Sequence, residues 1–283
     1  MGSKSKRRAY GALLLAVCVV AGSTSGAQTA PGGAGAAGNT PPQQQAPPSP
    51  VISPQADRLL RAASDYLKAA SQLSFHADIT YDDLLPTGQK IQLAASYDVA
   101  VRRPDKFYTE YWGDAGSRRL WYDGETITLY DPSLRIYASE PAKPTIDATL
   151  EHLIKDLGFT PPLSDLMTSD PAATLHKDIL FGFYVGVTEV EGVRAHHLAF
   201  VEQNIDWQVW IEDGTQFVPR KILITYKTLP GAPQFSAVLS DWDFATRPPD
   251  ALFTAELPAD ATRIEFLTAA APKSGPASGG KNK

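Results

Sequence analysis

Residues 206–214 read DWQVWIEDG and are followed, from Pro219, by PRKILITYK. In an extended chain successive side chains point to opposite faces. Trp207, Val209 and Ile211 then share one face, and Asp206, Gln208, Trp210 and Glu212 the other. The second run divides the same way, with Arg220, Ile222, Ile224 and Tyr226 on one side and Lys221, Leu223, Thr225 and Lys227 on the other. Gly214 and its neighbours close the turn between them. The pair reads as a half-buried antiparallel hairpin whose apolar face covers either a packed core or a cavity.

Similar hairpins recur along the chain. FHADITYDDLL (75–85) and KIQLAASYDVAVRR (90–103) flank a turn at Pro86-Thr87-Gly88. RRLWYDGETITLYD (118–131) folds back at Asp123-Gly124, and VGVTEVEGVRAHHLAFVE (185–202) at Glu191-Gly192, dipeptides suited to tight hairpin turns. FSAVLSDWDF (235–244) completes the sheet. Ahead of the strands, Leu59, Leu60, Ala63, Tyr66, Leu67, Ala70 and Leu73 follow Pro54 at a spacing that predicts a helix of about five turns with one apolar stripe. Between the two groups of strands, 145–159, 161–167 and 170–179 form three helical pieces broken by Pro161, Pro162 and Pro171. The order predicts an α+β fold: one long antiparallel sheet with its helices segregated to one side.

The ends of the chain differ in kind. Lys4, Lys6, Arg7 and Arg8 precede the apolar run GALLLAVCVVAG, and Ser25-Gly26-Ala27 fits small-residue cleavage. Residues 1–27 therefore read as a signal peptide, with export to the periplasm as the expected destination. The alternative is a lipid anchor on Cys18, because Leu15-Ala16-Val17-Cys18 partly resembles a lipobox. Residues 28–54 are rich in Gln, Ala, Gly and Pro and read as an unstructured tether, as does the tail, 268–283. One folded domain is expected over 55–267.

Loss of four basic residues and no acids with the leader takes the formal charge from −5 to −9. Such an acidic product disfavours nucleic acid and anionic lipid surfaces as partners. The single cysteine, Cys18, leaves with the leader, and with it any disulfide, thiol nucleophile or thiolate ligand. Nucleotide and serine-nucleophile motifs are absent from the sequence. No cofactor, metal or catalytic residue is assigned, and the expected product is a monomer that is not an enzyme.

SFHAD (74–78), VRRPDKF (101–107), WYDGETITLYDP (121–132) and VWIEDG followed by PRK (209–221) together resemble the periplasmic lipoprotein carrier LolA and its outer-membrane receptor relative. They are most similar to a family of predicted periplasmic proteins that shares the same blocks. The resemblance implies a strongly curved antiparallel sheet, an incomplete β-barrel, whose concave face is covered by helices over an apolar cavity. It also implies that Arg103 anchors this helical lid through backbone carbonyls, with Arg102 matching the basic residue before it. A lipid or a lipoprotein acyl chain is then the expected partner. On this basis Trp121, Tyr130, Trp207, Val209, Ile211, Ile222 and Ile224 are the expected ligand-binding residues.

Two other constellations compete. His196-His197 has the look of a metal pair, yet on a strand the rings point to opposite faces. Asp241 and Asp243 flank Trp242 and, on a regular strand, share a face about 7 Å apart, a spacing open to an acidic hydrolase. The chain is therefore read first as a carrier or binder of a hydrophobic ligand. A structural or sensory envelope module that binds a protein partner is the second reading, and an acidic hydrolase the third.

Overall fold

The computed structural model describes residues 51–266. A two-residue strand, β1 (Val51–Ile52), leads into α1 (Pro54–Ala69), and six strands follow: β2 (Gln72–Leu84), β3 (Lys90–Arg102), β4 (Lys106–Gly113), β5 (Gly116–Tyr122), β6 (Thr126–Asp131) and β7 (Ile136–Pro141). Next come α2 (Ile146–Lys155), a 3-10 turn at Ser164–Leu166 and the short α3 (Pro171–Leu175). The chain returns through β8 (Phe181–Val190), β9 (Val193–Val201), β10 (Ile205–Glu212), β11 (Pro219–Tyr226) and β12 (Gln234–Asp243), and ends with α4 (Asp250–Phe253) and β13 (Thr262–Ile264).

All the strands belong to one curved, open sheet in the order β1-β8-β9-β10-β11-β12-β2-β3-β4-β5-β6-β7-β13. Pairing is antiparallel throughout, except that β1 lies parallel to β8 and β13 parallel to β7. The expected α+β class and curved antiparallel sheet are what the structure has. The hairpin that opened the sequence is β10–β11, with Trp207 opposite Ile224 and Val209 opposite Ile222.

α1 starts where Ser53 accepts the Ala56 N–H on its hydroxyl and Pro54 fills the first helical position, where no donor is needed. The helix is shorter than its apolar spacing suggests: it ends at Ala69, and Leu73 already belongs to β2. The sheet pulls Leu73 out of helical register, because as a strand residue it pairs with Val101 and is buried. The expected tether, 28–54, also ends early. Val51 and Ile52 pair with β8 and Ser53 caps α1, so these residues are structured. The rest of the tether, the leader and the tail lie outside the described residues.

Two hydrophobic cores sit on one face of the sheet. In the first, Phe75, Ala77, Ile79, Tyr97, Val99, Phe107, Leu120 and Ile127 pack against Ile146, Leu150 and Leu153 of α2 and against Leu166 and Met167. In the second, Leu198, Phe200, Trp207, Val209 and Ile211 pack against Ala56, Leu59, Leu60 and Ala63 of α1. Fully burying a large apolar side chain is worth about 1.5–3 kcal/mol, so each helix is held mainly by its stripe rather than by its own propensity. Phe244 still packs against the first core and Tyr66, and the chain beyond it crosses to the opposite face, where α4 rests on β4.

Candidate functional site: the seam between two cores

Ile222 and Ile224 pack against both cores, and they mark where the α1 side of the concave face meets the α2 side. Inward side chains on the flanking strands are buried: Trp207 and Val209 on β10, Phe235 and Ala237 on β12. On β11 itself, Ile222, Ile224 and Tyr226 are only half-buried. The helices thus leave a strip of apolar floor incompletely covered in the interior of the sheet, where cover would ordinarily be most complete. Burial pushes the Tyr226 phenol up to about 12, so it stays neutral and able to donate a hydrogen bond.

Acidic groups stand at the edge of this strip. Glu202 accepts a 2.7 Å hydrogen bond from the Trp207 indole N–H; burial pushes its carboxyl up and that hydrogen bond partly offsets the rise. Surrounding protein also pushes the Asp165 carboxyl up, beside the 3-10 turn. Neither acid favours an anionic ligand head at this end.

Polar ties fix the helical cover. Arg103 follows β3 and donates from Nη1 to the carbonyls of Leu67 at 3.1 Å and Ala70 at 2.5 Å, and from Nη2 to Thr168 at 2.6 Å. One guanidinium therefore joins the C-terminus of α1 to the segment between the 3-10 turn and α3. Lys68 on α1 reaches Asp170 at 2.6 Å, and the Ser169 N–H donates to Asp147 of α2 at 2.8 Å. Burial holds the Arg103 guanidinium below its usual pKa, with the Asp147 charge opposing that shift.

The seven residues expected to line a cavity do not form one group. Trp207, Val209 and Ile211 are packed beneath α1, with exposures of 6%, 4% and 0%, and so act as core rather than open wall. Ile222 and Ile224 lie at the seam. Trp121 and Tyr130 are on the other face. The registers place Trp121 opposite Tyr108 and Tyr130 opposite Arg119, whereas their neighbours Leu120 and Tyr122 point into the first core. Beneath α1 the space expected to be a cavity is occupied by the packed side chains of Trp207, Val209 and Ile211. Two clefts lie outside this set of seven: one of about 640 Å³ beside Ser139, Glu140 and Arg263–Phe266, and one of about 130 Å³ at the anchor of the lid, between Arg103, Pro104, Thr145–Asp147 and Ser169. Tyr226 and Glu202 were missed, although the alternation that selects Ile222 and Ile224 also selects Tyr226.

The competing constellations are engaged otherwise. His196 lies 3.1 Å from the Tyr184 hydroxyl and 3.2 Å from Asp213, while His197, on the other face, stacks on Trp210 with ring centroids 4.1 Å apart. A bulge between Ser240 and Asp243, with Asp241 in the left-handed region at φ 52°, breaks the regular alternation that the paired-carboxylate reading needs. Asp243 spends one oxygen on the N–H groups of Ala245 and Thr246.

No curated protein matches the chain. Among solved structures it is similar to MucB, with 14% identity over 72% of this chain and 64% of that one and a TM-score of 0.42, so it spans less than two thirds of MucB. It is similar to LprF from Mycobacterium bovis, with 14% identity, 70% and 98% covered and a TM-score of 0.44. It is also similar to a LolA superfamily protein, NE2245 from Nitrosomonas europaea, with 12% identity, 71% and 97% covered and a TM-score of 0.34. Residues 56–267, which hold the whole sheet from β2 to β13 and its helical cover, match the family described as predicted periplasmic protein (DUF2092), and the chain belongs to that family.

Proposed function

We propose that the protein is a non-enzymatic periplasmic binder or carrier of a hydrophobic ligand, an acyl chain of a lipid or lipoprotein, which enters along β11 when the helical cover loosens. One observation carries this reading: Ile222, Ile224 and Tyr226 form a half-buried, apolar inner strip where the two cores meet. Side chains fill the space beneath α1, so a ligand that starts on the half-buried strip must displace the cover to extend further. Each acyl methylene buried contributes about 0.8 kcal/mol, and a chain of ordinary length supplies enough to separate contacts made mainly by apolar side chains. Arg103 serves as the lid anchor in this scheme. Export depends on the leader, with cleavage after Ala27, and an intact mass of the exported protein that retains Cys18 with acyl groups would replace that route with a lipid anchor.

The test is displacement of an environment-sensitive fluorescent acyl probe from delipidated protein, with Ile224→Asp as the blocking variant. Wild type should bind the probe, and the variant should bind it at least tenfold more weakly while keeping its circular dichroism spectrum. Absence of binding to the wild type, or equal binding to a folded variant, would sink the proposal.

A further inference from the structure

The two edges of the sheet are unequal. At one end, β13 is three residues long and carries Arg263, which bonds to the Ser139 carbonyl. At the other end, β1 covers only Phe181 and Gly182 of β8 before Ser53 turns the chain into α1, so among the described residues β8 has no neighbour on that side from Phe183 onward. Eleven large apolar side chains are exposed among the described residues, and six of them gather here: Val51, Leu180, Phe181, Phe183, Val185 and Val187. The rings of Phe181 and Phe183 lie 5.9 Å apart.

Edge strands usually carry lysine, proline or inward charges that discourage pairing. Between Leu180 and Val190 the chain has neither lysine, arginine nor proline, and Glu189 is its only charged residue. The one protective device is the bulge between Tyr184 and Gly186. Lipid is a poor cover, because it cannot satisfy the backbone N–H and C=O groups of a strand edge. Another strand can satisfy them, and β1 already pairs with this same edge.

We propose that the β8 edge is the dimer interface of this protein, with two copies pairing antiparallel across a two-fold axis near Val185. A second copy presents the same uncharged, apolar strand, and antiparallel pairing of identical edges is self-complementary and closes as a dimer. The blunt β13 edge prevents the extended sheet from continuing into a filament. The bulge keeps the ladder short, so the flanking Phe and Val side chains provide most of the buried surface and the dimer dissociates on dilution.

The experiment is analytical ultracentrifugation of the exported protein over a range of concentrations, with Val185→Lys beside it. Wild type should dimerise reversibly and the variant should stay monomeric with unchanged thermal unfolding. A second measurement does not depend on that variant: in a Cys18→Ser background, mild oxidation should cross-link Val185→Cys into a covalent dimer but leave Leu134→Cys, exposed on the far side of the sheet, monomeric. A wild type that is monomeric at every concentration overturns the proposal. So does equal cross-linking of the two cysteine variants, and so does a Val185→Lys protein that remains dimeric.

Discussion

Arg102 and Arg103 are neighbours that hold down opposite faces of one sheet. Arg102 ends β3 with its side chain on the outer face, where it donates to the Pro248 carbonyl at 2.9 Å, pairs with Asp250 and lies 5.0 Å over the Phe253 ring. It clamps the segment that crosses to β13. Arg103 reaches the other way and clamps three carbonyls of the helical cover. Hydrogen bonds from a charged donor contribute about 1.5–3 kcal/mol each, and the carbonyls would find water only in part. Arg103→Leu should therefore lower the stability measured by chemical denaturation by a few kcal/mol. It should also speed both uptake and release of an acyl probe, and open residues 164–176 to limited proteolysis. Arg102→Leu should destabilise as well, yet its new protease cuts should fall within 244–261 and its probe kinetics should match wild type. If the two variants share one cleavage pattern and one set of kinetics, the division of labour between the two arginines is wrong.

At the scale of elements, α2 is tied to β7 by His152. Its Nε2 lies 2.5 Å from Glu140 on β7 and its Nδ1 2.6 Å from Asp156 on its own helix. Burial lowers the imidazole pKa, but the two carboxylates outweigh it and the net shift is upward. A raised folded pKa gives stability that is fully present below the unfolded value of about 6.5 and is lost as pH rises through the folded pKa. The stability gap between wild type and His152→Gln should thus be widest below the unfolded value of about 6.5 and narrow as the pH rises above it. A gap that stays constant or widens with pH would remove the tie. The turns beside these elements were legible in sequence: Gly124 and Gly192 adopt φ of 101° and 78°, which the Asp-Gly and Glu-Gly dipeptides announce. The faces of β5 and β6 were not. Leu120, Trp121 and Tyr122 are buried in succession, Leu120 and Tyr122 in the first core and Trp121 against Tyr108 on the other face, so alternation cannot tell inner from outer there. The segment that crosses to β13 and the two-residue β1 are too short and irregular to carry a periodic signal, which hid both sheet edges and with them the true side of Trp121 and Tyr130.

On the scale of the whole molecule, one sheet carries two cores joined at Ile222 and Ile224. The strands are held by continuous ladders, β2 and β3 pairing residue by residue over 13 positions. The helices have no such ladder to the sheet: beyond apolar contact they are held to it by isolated ties such as those of Arg103 and His152, and to one another by Lys68 and Asp147. Trp207→Asp is accordingly a poor probe of ligand contact, since a carboxylate beneath α1 would damage the second core itself. The difference in anchorage predicts a hierarchy of opening: α1 and residues 161–176 should exchange their amide hydrogens through a partial opening, well before β2 and β3, which should exchange only on global unfolding. A bound acyl chain would fill the seam and touch both covers at once, so it should slow exchange in α1 and 161–176 together while leaving β2 and β3 unchanged. Hydrogen exchange with mass spectrometry, with and without a saturating fatty acid, reads both effects. Uniform protection without ligand would show that the covers are as firmly fixed as the sheet. Slowed exchange confined to β13 and the cleft beside Arg263 would move the binding site away from β11.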